Sequence, residues 1–469
     1  MELTHNPALL WYVIGYIVII VGIGYVFSKK VSNTDDFMLA GRTLGSVILM
    51  GTLIATWVGS GTVTGGSTSI AYQFGLGPAI LNGLGATLGI LVLFAMANKI
   101  RSASKYTLSG ALEEKYGTVA KILASVIIIL AFVGIVSYQF TGLGMVLNAA
   151  TGLPIETGTI IAAVIVIILA TLGGLMSVAP TDALSAFIIL IGLIIGIPYS
   201  IAFAGGWSEL TSQVPASKLT LLGELNLIQL LGYIVPSLFL LLGDQNMYQR
   251  IASSKGNKES RMGIIGMFIG VGFVYPAVSI IGFASSATFP DIRPGMAFIA
   301  ITTVLPDFIG GLLLAAVTAF IITTGSSYLL SAATNITMDI YGNYINPKST
   351  SKQKLVFTRI LIPVLGVLSY VLIQFFPTIL EAQMYAYTVY AAGITPAILG
   401  VYLWGDRVTK QGGISSMISG VIVTLFFEFS NILDFHSAVI SVPIAILVLI
   451  VVTLMTTNKV TNKEMIDDE

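Results

Sequence analysis

Thirteen apolar stretches, most of about twenty residues or more, divide this chain, and nearly all of its charge falls in the short segments between them. A helix rises about 1.5 Å per residue, so ~20 apolar residues match a hydrocarbon layer of ~30 Å. Lipid offers the backbone no hydrogen bonds, and only helices or closed barrels cross it. Stretches of this length fit the helical option, and the chain reads as an all-α polytopic membrane protein. Hydropathy places the spans near 8–27, 46–72, 76–98, 119–149, 157–175, 180–205, 226–248, 260–286, 308–338, 356–376, 380–403, 412–430 and 435–456. They leave no room in 469 residues for a soluble domain of any size.

With the N-terminus outside, alternate loops and the tail collect twenty basic residues, leaving only Lys218 and Arg293 on the outer side. This is the distribution expected of cytoplasmic loops, and it puts the C-terminus in the cytoplasm. The first span lacks a basic leader and a small-residue cleavage site, so it reads as a retained helix. Zero net charge and no basic block argue against nucleic acid as a partner. The absence of cysteine excludes disulfides and thiolate chemistry, and two histidines near span ends, His5 and His436, make a poor zinc site. Any metal is then a hard ion held by oxygen.

Four acids, Asp182, Asp244, Glu381 and Glu428, lie within or at the edge of apolar stretches that contain no Lys or Arg. A lone carboxylate in hydrocarbon costs several kcal/mol, so each must be protonated, face water, or hold a cation that arrives from elsewhere. Two spans look broken. The second has Gly59, Ser60, Gly61, Thr62, Gly65 and Gly66 in its middle, and the seventh has Gly243, Asp244, Gln245 and Asn246 towards one end. Irregular backbone at membrane depth belongs beside a cavity, and two such breaks five spans apart fit an inverted repeat of five plus five helices. The ninth span gathers Thr323, Thr324, Ser326 and Ser327, hydroxyls that either bond back to their own helix or offer oxygens to a neighbour. Sodium suits such oxygens, and Asp182, after a turn marked by Gly173, Gly174 and Pro180, can add a carboxylate.

These features favour a carrier driven by an ion gradient. A channel would need a continuous polar lining or a filter loop, which the chain lacks. A membrane enzyme would need a nucleophile with its base, and a primary pump a nucleotide-binding loop; neither is present. Other polar residues have simpler readings. Asp339 and Tyr341 are expected to anchor the ninth span at its cytoplasmic end, Glu381 to be solvated, and Glu428 and His436 to flank an outer loop.

Along most of its length the chain resembles the sodium:solute symporter family. The resemblance rests on DDFMLAGR at 35–42, GGLMSVAPTD at 173–182, DQNMYQR at 244–250, SSYLLSAATNITMDIY at 326–341 and MYAYTVYAAGITPAILG at 384–400. It implies the LeuT-like fold: a leading helix in 1–45, five-helix repeats in 46–205 and 206–403, and two trailing helices in 404–469, in a bacterial-type plasma membrane. It implies sodium as coupling ion, held by the carbonyls of Ala55, Val58 and Phe320 and the hydroxyls of Thr323 and Thr324. Residues matching a second sodium site in some members are Asp182, Thr323, Ser326 and Ser327. The solute would lie beside Thr56, Trp57, Ser60, Thr62, Tyr138, Gln139, Asp244 and Gln245. The stretch ATWVGSG is similar to that of choline transporters, and the Asp244-Gln245 pair to that of urea and polyamine symporters. An acid with an aromatic favours an organic cation; a neutral or anionic solute is the alternative.

Overall fold

The computed structural model describes residues 5–103, 106–430 and 432–467. The bundle is built from α1 (Ala8–Ser28), α2 (Ser46–Trp57), α3 (Ser67–Phe74), α4 (Leu76–Ala103), the short α5 (Leu108–Tyr116), α6 (Thr118–Thr151), α7 (Ile155–Phe203), α8 (Leu227–Gly243), α9 (Gln245–Ala252), α10 (Asn257–Thr288), α11 (Asp307–Asn335), α12 (Ser351–Ile373), α13 (Ile379–Gly393), α14 (Lys410–Ser430) and α15 (Ala438–Asp467). Among the described residues, eleven helices are long and apolar enough to cross a membrane, or twelve with the bent pair Ser46–Trp57 and Gly61–Phe74 as one span. The expected thirteen differs at α7. Its 49 residues are two helices that meet at a kink, so the stretches read as 157–175 and 180–205 lie one on each side of it and are counted together. Straight, that element would be ~73 Å long, more than twice the hydrocarbon thickness. It turns at Gly174 (φ 55°, ψ −153°), where a Cβ would lie 2.2 Å from the Phe37 carbonyl, so glycine is required. Pro180, expected to mark the turn, lies inside the helix beyond it.

In lipid the solvent-facing side chains are apolar and the polar ones turn inward, as seen here. Trp11 and Val18 on α1, Val164 and Ile194 on α7, and Val364 and Val367 on α12 are exposed. At the centre stands α11, buried at every residue from Leu313 to Asn335. Its run of Ala, Gly, Ser and Thr lets α1, α2, α6, α7 and α12 approach closely.

Both expected breaks are present. After α2 the backbone at Val58 is extended (φ −87°, ψ 107°), a short wide helical turn covers Gly61–Gly65, and α3 leaves at a bend of 45°. Between α8 and α9, Asp244 is extended (φ −67°, ψ 113°) and its carboxylate caps α9, accepting from Asn246 N at 2.8 Å. Capping boxes start α8 (Asn226 with Gln229) and α12 (Thr350 with Gln353).

The bundle is open at one end and closed at the other. A cavity of about 1080 Å³ opens where the loops at 224–229, 293–295, 374–378 and 433–437 gather, and it reaches inward to Thr64 and Ser69. At the far end Leu44 N bonds Ser253 O at 3.1 Å, Lys255 N bonds Leu44 O at 3.0 Å, and Gln249 Nε2 bonds Met38 O at 2.6 Å. Asp339 does more there than anchor a helix end: it is buried and accepts from Thr107 Oγ1 at 3.0 Å and Ser109 Oγ at 2.5 Å, pinning α5 against the wide helical turns Ile336–Ile345 that follow α11. Tyr341 stacks on Phe357 with centroids 4.1 Å apart. Glu381, Glu428 and His436 line the open cavity, and Glu428 accepts from Ser437 Oγ at 2.6 Å.

Candidate functional site

Where α2 breaks, its last carbonyls have lost their helical donors and face α11. Thr324 Oγ1 lies 3.2 Å from Ala55 O, 3.1 Å from Thr56 O and 3.1 Å from Val58 O. Thr323 Oγ1 lies 2.8 Å from Ala55 O, 2.7 Å from Ala319 O and 3.3 Å from Phe320 O. Each hydroxyl has one proton and donates to only one of its three neighbours. The remaining contacts bring lone pairs together, an arrangement a small hard cation would relieve. All five oxygens named from the sequence for sodium fall in this cluster. Gly59 makes room for it, because a Cβ there would stand 2.6 Å from Thr324 Oγ1.

Asp182 has a different environment from the one expected. Both Asp182 and Arg250 are about 1% exposed, and Arg250 Nη2 lies 3.5 Å from Asp182 Oδ2. The cation beside this acid is a basic side chain from another helix. Arg250, counted from sequence among the cytoplasmic loop bases, sits on α9 and turns back into the bundle. Its Nη2 donates to Ser327 Oγ at 2.6 Å and its Nε to Thr52 Oγ1 at 2.9 Å. Thr52 in turn donates to Asp182 Oδ2 at 2.6 Å. Thr56, one helical turn on from Thr52, faces the same way, 3.4 Å from Asp182 Oδ2 and 3.5 Å from Ser327 Oγ. Ser326 Oγ bonds back to Thr323 O at 3.2 Å.

The residues named for the solute therefore separate. Trp57, Ser60, Thr62, Tyr138 and Gln139 share one aromatic-walled region. Trp57 Nε1 donates to Tyr275 Oη at 3.2 Å, and its ring lies 6.2 Å from that of Tyr387. Tyr275 also meets Thr62, and Tyr387 meets Tyr138. Gln139 Oε1 accepts from Ser60 N at 2.8 Å, which leaves its buried Nε2 without a partner among the described residues. Ser60 Oγ pairs with Thr64 Oγ1. Thr56 belongs instead to the Asp182 cluster. Asp244 is committed on both oxygens, to Asn246 N and to Tyr328 Oη at 2.5 Å. Gln245 is drawn to the closed end, where its Oε1 accepts from Leu108 N at 3.0 Å and its Nε2 donates to Ser331 O at 3.3 Å.

Sequence reasoning missed Thr52, Arg250, Tyr275, Tyr328, Tyr387 and Gln383, whose side chain meets Tyr387. For Arg250 a signal existed: it falls inside the DQNMYQR motif, four residues after Asn246, whose backbone and side-chain oxygens it meets at 3.4 and 3.3 Å. Tyr328 and Tyr387 likewise fall inside the motifs at 326–341 and 384–400, whereas Tyr275 on α10 lies outside all of them.

A helical bundle with two broken spans, a cavity open at one end and oxygen-lined backbone at its centre defines a secondary carrier. The chain belongs to the sodium:solute symporter family, whose model matches residues 37–420. It is a multi-pass membrane protein of sodium-coupled transport, and sodium is its coupling ion. Similar curated proteins include the sodium/pantothenate symporter of Escherichia coli, 27% identical over 95% of this chain and 98% of that protein. A sodium/proline symporter of Staphylococcus aureus is 27% identical over 87% of this chain and 84% of its own. Among solved structures, a substrate-bound, outward-open sodium-coupled sialic acid symporter shares the fold with a TM-score of 0.81 at 18% identity, covering 96% of this chain and 98% of that one. The structure of MhsT with L-phenylalanine matches with a TM-score of 0.57 at 15% identity, covering 88% and 98%. The motif likeness to choline, urea and polyamine transporters finds no counterpart in these relatives.

Proposed function

We propose that this protein imports a small carboxylate-bearing solute together with sodium by alternating access, the ion resting on Ala55 O, Val58 O, Phe320 O and the hydroxyls of Thr323 and Thr324. The observation that carries the ion site is Thr324 Oγ1, within 3.2 Å of three carbonyls while owning one proton. In this reading Gly174 separates two spans, giving thirteen, with five-helix repeats over 46–205 and 206–403, a leading segment 1–45 and a trailing one 404–469. The large cavity then faces outward, with the N-terminus outside and the C-terminus cytoplasmic, in keeping with the loop charges. A second sodium on Asp182, Thr323, Ser326 and Ser327 is left out, since Arg250 holds Asp182.

Three features favour a carboxylate over the organic cation suggested by Asp244 and Trp57. Asp244 has both oxygens engaged, and the Trp57 indole is engaged with Tyr275. The unpartnered Gln139 Nε2 beside the first break is a donor seeking an acceptor. Pantothenate, proline and sialic acid, the solutes in the relatives' names, all carry a carboxylate. The test is a thermal-shift screen of the purified protein with pantothenate, proline, sialic acid, choline, putrescine and glucose, each in sodium and in potassium. A carboxylate should stabilise in sodium only. Stabilisation by choline or putrescine alone would return the organic-cation reading, and equal shifts in potassium would remove the coupling site.

A further inference from the structure

We propose that the Arg250 guanidinium is a resident cation for Asp182, so that the protein binds one sodium ion per chain and not two. This rests on the sodium site proposed above, and it assigns Arg250 the role that a second ion would otherwise fill.

The geometry leaves little for another cation to bind. Of the four residues that match a second sodium site, Asp182 and Ser327 are both engaged by Arg250 Nη2, at 3.5 and 2.6 Å. Thr52 completes the arrangement by giving its proton to Asp182 Oδ2 and its lone pair to Arg250 Nε. Ser326 bonds back to its own helix, and Thr323 belongs to the cluster at the α2 break. A sodium ion here would be a second positive charge beside one carboxylate, in a place where neither Asp182 nor Arg250 is more than about 1% exposed. At such low local polarity like charges repel strongly, and a buried ion pair tolerates no surplus. The second oxygen, Asp182 Oδ1, has no hydrogen-bond partner among the described residues and faces a cavity of about 20 Å³ that Thr323 and Ser326 also line. That is room for about one water molecule, and what sets water against a cation there is the positive charge Arg250 already supplies to Asp182.

Arg250 also sits on α9, just beyond the break at Asp244, so its charge is delivered by one broken helix to an acid and a hydroxyl on α7 and α11.

The experiment counts bound radioactive sodium on the purified full-length protein at saturation, without solute. Wild type should bind one ion per chain, and Arg250→Lys, which keeps the charge, should also bind one. Arg250→Gln should bind two, because Asp182 is then free to take an ion, and Asp182→Asn combined with Arg250→Gln should return to one. Two ions on the wild type, or one on a folded Arg250→Gln protein, overturns the proposal while leaving sodium coupling intact. No ion on the wild type overturns it together with the sodium site it rests on. Should Arg250→Gln fail to fold, the wild-type count decides alone.

Discussion

Replacing Thr324 by Ala should weaken sodium binding about tenfold or more while leaving the fold in place. The hydroxyl is one of the five oxygens gathered at the α2 break, and it touches the carbonyls of Ala55, Thr56 and Val58 at 3.1 to 3.2 Å. Losing one ligand from so small a shell is expected to cost on the order of 1.4 kcal/mol, which is a factor of ten. Without sodium the same change also removes one donor from the buried carbonyls, a loss of about 1 kcal/mol of stability. The two effects separate in a sodium titration followed by thermal shift. The starting stability reports the hydrogen bond, and the midpoint of the rise reports the ion, because stabilisation grows as the logarithm of ligand over Kd. Thr324→Ser keeps the oxygen and should shift the midpoint by less than about threefold. A Thr324→Ala protein with an unchanged midpoint would refute the reasoning, since the carbonyls alone would then suffice. Sodium-dependent uptake in proteoliposomes should follow the same order.

Gly59→Ala drives a Cβ to within 2.6 Å of Thr324 Oγ1, so it should weaken sodium binding much as Thr324→Ala does; a double variant no worse than either single one is expected, and additive losses would show that the two act separately. Tyr328→Phe removes the 2.5 Å hydrogen bond to buried Asp244 and should lower stability by about 2 kcal/mol in chemical or thermal unfolding, with a negligible change meaning that Asp244 finds another donor. His436 lies between α14 and α15 with its ring 4.9 Å from that of Tyr233, and burial pushes its imidazole down from 6.5 to about 4. The folded protein therefore binds fewer protons here than the unfolded chain, the contribution is complete above pH 6.5 and is lost as pH falls towards 4, and His436→Asn should flatten the melting curve's pH dependence in that window.

The sequence by itself determined the all-helical membrane class of the fold and pointed to sodium as the coupling ion. A span is a local property, set by twenty apolar residues in lipid, so its boundaries were readable to within a few residues along most of the chain. The breaks were equally local: Gly59 to Gly66 and Gly243 to Asn246 disrupt helical backbone wherever they stand. Thr323 and Thr324 stood out as hydroxyls grouped with Ser326 and Ser327 in one apolar span, although the α2 carbonyls they meet lie more than 260 residues away. Only the tertiary structure decided what the buried charges do. Asp182 and Arg250 are 68 residues apart in the chain and meet because α7 and α9 both pack around α2 and α11. Hydropathy assigned Arg250 to a loop, since it scores each residue against lipid and takes no account of a carboxylate arriving from another helix. The same holds for Asp244, which caps α9 locally and takes its bond to Tyr328 from across the bundle. Charge pairing and hydroxyl direction depend on distances across the bundle, and no window of sequence contains them.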